Sequence, residues 1–152
     1  MTDGLGWNVR PGESVGPLVL GMPEEEVTHA IGEPMSRKNR REMTSLDYGF
    51  ITIMLFQGVV TMIVIEMNAQ IEVAECGIKP GALVRDLVSF LESPLTYDQE
   101  EGLWRSADLE GLWFEVARPA EAGEDPIEPP YVPEQYDITR PESALVRRVF
   151  VQ

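Results

Sequence analysis

Residues 51–66 read ITIMLFQGVVTMIVIE and decide the fold. Ile51–Phe56 and Val59–Glu66 are rich in β-branched and aromatic residues, which favour extended strands. Gln57 and Gly58 between them predict a two-residue turn, because glycine readily adopts the positive φ angles of a tight hairpin. Polar residues interrupt this longest apolar stretch too often for it to span a bilayer. The sequence therefore predicts a pair of antiparallel strands.

Two helices are predicted on either side of this hairpin. Pro23–Ile31 begins with a proline and three glutamates, which suit a first helical turn, and Gly32 is a natural stop. Ala82–Glu92 carries apolar residues at helical spacing. Ser36–Glu42 is polar and basic and is predicted to be a connection. The remaining strands are predicted at Thr44–Tyr48, Glu101–Arg105, Gly111–Arg118 and Ala144–Val151, with a proline-rich loop at Pro119–Pro133.

A shift of 60 residues along the chain superposes several of these features. It lays Gly21 on Gly81, Val27 on Leu87, and the strand at Ile51 on the strand at Gly111. This pattern predicts an α+β fold, in which a tandem pseudo-repeat of a helix followed by antiparallel strands packs its helices on the sheet. The two units would cover about residues 15–75 and 76–152 of a single domain formed by residues 1–152.

Charge and cysteine content narrow the classes of function. The net charge of −14 disfavours nucleic acids and anionic membranes, because their phosphates repel an acidic protein. A single cysteine excludes an internal disulfide, and the first residues lack the pattern of a signal peptide, so we expect a cytoplasmic protein. Between Glu92 and Glu142 there are 14 acidic and 3 basic residues. This acidic stretch serves solubility or attracts a basic partner.

The segments Leu18–Val27 and Ile31–Pro34 read LVLGMPEEEV and IGEP. They resemble the opening of a superfamily that includes the small outer-membrane lipoproteins of the SmpA/BamE type and the tandem-repeat beta-lactamase inhibitory protein. Pro11-Gly12 and Val15–Pro17 are also similar to the start of uncharacterised actinobacterial proteins. Pro23 departs from the pattern, because the family has a serine or threonine cap there. The resemblance implies helices layered on an antiparallel sheet and a function in binding other proteins.

No catalytic or metal-binding set can be identified from the residues. His29 is the only histidine and lies off the apolar stripe of its helix, which predicts an exposed side chain. Cys76 has acidic neighbours and is predicted to be an inert thiol. Asp98–Glu101 lacks the ligand spacing of a calcium loop and is predicted to be a solvated turn. We therefore expect no catalytic residues, no metal and no cofactor.

The predicted contacts to a partner are aromatic and acidic. Trp113 and Phe114 are adjacent on a strand, so one should lie in the core and the other should face outward or lie under the second helix. Exposed aromatic residues are common anchors of protein interfaces. The predicted partner-binding set is Trp104, Trp113, Glu100, Glu101, Glu121, Glu124, Asp125 and Glu128.

These observations predict a non-enzymatic, protein-binding module. It would be a cytoplasmic inhibitor or immunity-type protein that neutralises a basic toxin or enzyme. The alternative is a small-molecule-binding or enzymatic domain with a pocket between sheet and helices.

Overall fold

A computed structural model describes residues 7–66, 69–73, 80–82, 84–93, 95–98, 100–117 and 145–152. Two antiparallel sheets dominate these residues. The small sheet contains the three two-residue strands β1 (Val9–Arg10), β2 (Ser14–Val15) and β3 (Leu18–Val19). The large sheet contains β4 (Ser36–Arg40), β5 (Met43–Asp47), β6 (Ile51–Phe56), β7 (Val59–Ile65), β8 (Thr96–Asp98), β9 (Leu103–Arg105), β10 (Leu112–Ala117) and β11 (Leu145–Val151).

The order of strands in the large sheet is β4-β5-β6-β7-β11-β10-β9-β8. Strands β4 to β7 form one antiparallel series, and β8 to β11 form another. The two series meet where β11 pairs with β7, with Phe150 opposite Val64. The predicted turn between β6 and β7 is confirmed, because Gln57 and Gly58 have φ angles of 51° and 83°. Both angles are positive, as a tight hairpin turn requires.

Two helices are described, α1 (Glu24–Ile31) and α2 (Val84–Phe90), and both lie within the predicted ranges. A short 3-10 helix at Ala107–Leu109 joins β9 to β10. The core forms on one face of the large sheet. There, inward residues such as Ile53, Ile65 and Phe114 meet Val27 of α1, Leu87 of α2 and the apolar residues of the small sheet.

The predicted fold class is wrong. The described chain is mostly β, with sheets of three and eight strands and only two helices, and it is not a tandem α+β repeat with helices packed on the sheet as its main layers. The reason is size: α1 has 8 residues and α2 has 7, and Val27 is the only buried residue of α1. The strands therefore supply most of the buried apolar surface.

The predicted connection at Ser36–Glu42 is also wrong, because Ser36–Arg40 forms the edge strand β4 and pairs with β5 along its length. Hydrophobic alternation could not identify it, since none of its residues is buried. Arg37 points towards α1, where its guanidinium binds Glu24 at 2.7 Å and lowers the pKa of that carboxyl. Lys38 and Arg40 lie on the opposite face. Charges on an edge strand hinder pairing with strands of other molecules.

Candidate protein-binding face

The face of the large sheet that points away from the core carries an apolar centre. We call it the open face, because no helix or strand of the described residues packs on it. One row of paired residues crosses its middle: Trp113 lies opposite Phe150, Phe150 opposite Val64, and Val64 opposite Thr52. Trp113 and Phe150 are half-buried, whereas Val64 between its neighbours is only 6% exposed.

The apolar surface continues from this row towards the β6–β7 turn. Met54 and Met62 lie opposite each other and are half-buried. Beyond them, Phe56 and Val59 form the next apolar pair of this face, and they are 40% and 39% exposed. Flexible methionine and large aromatic side chains together make a surface that can adapt to a partner.

A network of charges borders the apolar centre on the other side. Arg148 donates from Nε to Glu66 at 2.6 Å and from Nη1 to Glu115 at 2.8 Å. Arg147 lies 3.8 Å from the same Glu115, and Thr52 donates its hydroxyl to Glu66. Partial burial acts to lower the pKa of Arg148, but the hydrogen bonds that it donates to the two carboxylates, together with their negative charge, outweigh burial and raise that pKa. The network therefore links β11 to β10 and to the end of β7 through ion pairs.

Arg105 occupies the position beside Trp113 on the neighbouring strand. Because Trp104 pairs with Phe114, the next residues of β9 and β10 are brought together on the open face. The guanidinium carbon of Arg105 lies 5.0 Å from the centre of the Trp113 ring, within the range of a cation–π interaction. Both residues border a depression of about 420 Å³, whose other walls include Thr96, Ser106 and Glu110.

The segment after Arg105 is held by side-chain hydrogen bonds to the end of α2. The Asp108 carboxylate accepts hydrogen bonds from the backbone amides of Glu92 at 2.6 Å and Ser93 at 2.8 Å. The bond from Ser93, followed by that from Glu92, lowers the pKa of Asp108 below its ordinary value of 3.8. Ser106 donates its hydroxyl to the carbonyl of Ser93. These contacts fix the segment that carries Arg105 against α2.

We expect Asp108→Asn to lower the free energy of unfolding at neutral pH. The difference between the variant and the parent should become smaller as the pH falls. A lowered pKa means that the folded state favours the charged carboxylate. Its contribution is therefore complete above the ordinary pKa and disappears as the pH falls through the folded value. Urea unfolding of the parent and the variant from pH 7 to pH 3 measures the difference. Glu110→Gln, which removes a nearby exposed carboxylate, should unfold in parallel with the parent. A difference from Asp108→Asn that is as large at pH 3 as at pH 7 would contradict this prediction.

The structure places the predicted partner-binding residues in different settings. Trp113 lies on the open face, and Phe114 is fully buried, so the prediction that they face opposite ways is confirmed. Trp104 lies in the core, 5% exposed, with its ring 5.3 Å from that of Tyr97. Glu100 and Glu101 are exposed after β8, where their backbone amides donate to Asp98. Four predicted residues lie outside the described part of the chain: Glu121, Glu124, Asp125 and Glu128.

Sequence reasoning missed Phe150, Val64, Arg105 and Arg148 as residues of the same face. Phe150 and Val64 belong to strands whose apolar residues do not alternate cleanly, so either face of these strands could have been the buried one. Arg105 becomes notable only through the pairing of β9 with β10.

The remaining candidate residues are His29 and Cys76. His29 is exposed, as predicted, and Cys76 lies outside the described residues. Within the described ranges, no group of three histidine, cysteine or acidic side chains is arranged to hold a metal ion. None of the helices in that part of the chain is long and apolar enough to cross a membrane. Comparison of the chain with protein-family models, with curated proteins and with solved structures found no match, so the resemblance at Leu18–Pro34 stays a prediction.

Proposed function

We propose that this protein is a non-enzymatic binding module, an immunity-type or inhibitory protein of the cytoplasm that seats a second protein on its open face. The observation that carries the proposal is the apolar centre of that face. Trp113 and Phe150 are direct cross-strand neighbours and are only half-buried, although the same strands fully bury Phe114 and Val149 in the core.

Aromatic pairs of this kind have the properties of interface anchors. A tryptophan or phenylalanine buries a large apolar area with few rotatable bonds, so little conformational entropy is lost on binding. The ion pairs of Arg148 with Glu66 and Glu115 border the apolar centre and fix the strands beneath it. An apolar centre with a polar border is the usual anatomy of a protein interface.

The charge of the whole chain supports a partner of opposite sign. A net charge of −14 attracts a basic protein over distances of about a Debye length, roughly 8–10 Å at moderate salt. Such attraction acts mainly on the rate of association, whereas close contacts set the rate of dissociation. The proposed partner is therefore a basic protein whose docking surface includes apolar side chains.

The first test is whether one partner depends on the open face. The parent, the control His29→Ala and the double variant Trp113→Ala/Phe150→Ala are each immobilised and exposed to an extract of the native cell. We expect the parent and His29→Ala to retain the partner and the double variant to retain none. With the purified partner, Trp113→Ala alone should weaken binding by about 2 kcal/mol, roughly 30-fold, as expected for an aromatic anchor. Calorimetric titration measures the affinity, and an assay of the partner's own activity tests inhibition. Equal affinity of the parent and both face variants would refute the proposal.

The second test concerns the acidic stretch. Neutralising the four acids at residues 121, 124, 125 and 128 together with Glu100 and Glu101 should slow association and flatten its dependence on salt. Each substitution alone should have little effect, because single exposed charges contribute about 0–1 kcal/mol. Stopped-flow association across ionic strengths measures both quantities. If the parent associates equally fast at low and high salt, the acidity serves solubility only.

A further inference from the structure

Among the described residues, Arg105 differs from the other cations that touch the apolar centre of the open face. Arg147 and Arg148 both lie next to Glu115, and Arg148 also binds Glu66. The guanidinium of Arg105 makes no ion pair within the described structure, and its side-chain contact is the Trp113 ring. The chain contains 26 acidic and only 12 basic residues, so acidic groups are not scarce.

The unpaired cations of β4 do not share this setting. Lys38 and Arg40 are exposed on an edge strand, where charge discourages strand pairing, and within the described residues neither is held over an aromatic ring. The Arg105 guanidinium is instead held over an aromatic ring at the border of the depression of about 420 Å³. Stacking restricts the rotation of the side chain, so less conformational entropy remains to be lost when a ligand binds.

A partner that covers Trp113 also covers Arg105, because the two side chains are in contact. Removing a guanidinium from water without supplying an acceptor is unfavourable, since its five N–H donors lose their hydration. A partner seated on the open face must therefore bring an acceptor to this position. A carboxylate fits best, because its two oxygens match the planar fork of an arginine in a bidentate pair.

We infer that the open face recognises a protein segment in which an aspartate or glutamate binds Arg105 and a neighbouring apolar side chain covers Trp113. This inference rests on the proposed function. It is compatible with a basic partner, because net charge acts at long range whereas Arg105 acts only in contact. A basic protein that presents one carboxylate beside an apolar residue satisfies both requirements.

The probe for this inference is a library of random 12-residue peptides displayed on phage. Peptides are selected on the parent protein and screened against the Trp113→Ala/Phe150→Ala variant. We expect the peptides that depend on the face to be enriched in an acidic residue at a fixed distance from an apolar one. Binding of a selected peptide is then measured by calorimetry with the parent and with Arg105→Gln, Arg105→Lys and the control Arg10→Gln. Arg10 is an exposed cation of the small sheet, so its loss removes the same charge elsewhere.

Arg105→Gln should lower the affinity for the peptide about 10-fold or more. Replacing the acidic residue of the peptide by its amide should lower the affinity for the Arg105→Gln variant little further. Arg105→Lys should recover only part of the affinity, because a lysine cannot form the bidentate pair. Arg10→Gln should bind like the parent. Face-dependent peptides that bind Arg105→Gln as tightly as the parent would overturn this inference and leave the proposed function standing. A selection that yields no face-dependent peptide would overturn both.

Discussion

Replacing Phe114 by alanine should lower the free energy of unfolding by about 3–5 kcal/mol, the usual range for deleting a fully buried aromatic side chain. Phe114 is 0% exposed and lies in β10 opposite Trp104 on one side and Val149 on the other. These neighbours belong to strands that cannot collapse into the space without losing their own pairing. The expected fall in the melting temperature is about 6–20 °C for a chain of this length.

The matched control is Trp113→Ala, one residue away in the same strand. Trp113 is only half-buried on the open face, so part of its transfer free energy is lost on substitution, and we expect a decrease of about 1–2 kcal/mol. Chemical unfolding and calorimetry measure both variants. The two substitutions should therefore separate stability from binding. Phe114→Ala mainly lowers the free energy of unfolding, whereas Trp113→Ala mainly lowers the affinity for the partner. Equal losses of stability would show that β10 does not have one core face and one open face.

Some of the fold could be predicted from local sequence, and the reasons are visible in particular elements. The β6–β7 hairpin was predictable because its strands are strongly apolar and Gly58 marks its turn. Helix α1 was predictable because Pro23 and Gly32 bound it. Strand β4 was not, because it buries no residue and so shows no alternation. The strands of the small sheet have two residues each, too few to show any period.

The candidate site was harder to predict, because it is made by long-range pairing. The register Trp113–Phe150–Val64 joins three strands from distant parts of the chain, and no local pattern specifies it. The sequence predicted a partner-binding set made mainly of acidic residues. The open face instead contains apolar side chains and Arg105.

Gly111→Ala should be almost as destabilising as Phe114→Ala, with a loss of about 2–5 kcal/mol from backbone strain and overpacking combined. Gly111 has a φ of 87°, which side chains rarely allow. A methyl group there would lie 2.3 Å from the Cα and N atoms of Gly12 and 2.9 Å from the carbonyl carbon of Pro11. Because these atoms belong to the backbone, the turn between β1 and β2 would have to move away from β10.

Gly58→Ala separates the contribution of backbone strain from that of overpacking. Gly58 has a similar φ of 83°, but a methyl group there meets no atom within 4 Å. Gly58→Ala should therefore lower the free energy of unfolding by only about 1–2 kcal/mol, which is the strain of a left-handed backbone. Urea unfolding of both variants gives the difference, which reports the contact between Gly12 and Gly111. If the two variants are equally stable, the small sheet does not pack tightly against the start of β10.

Strand β11 lies between β7 and β10, so a growing chain cannot complete its large sheet until residues 145–151 have left the ribosome. Until then, β7 and β10 each present an unpaired edge, and the apolar residues of both strands lack their neighbour. Pairings so distant in sequence form slowly, over milliseconds to seconds in proteins rich in β structure. A chain whose synthesis stops before residue 145 is therefore the form most prone to aggregate. The negative charge of the sequence opposes this aggregation, because incomplete chains repel one another.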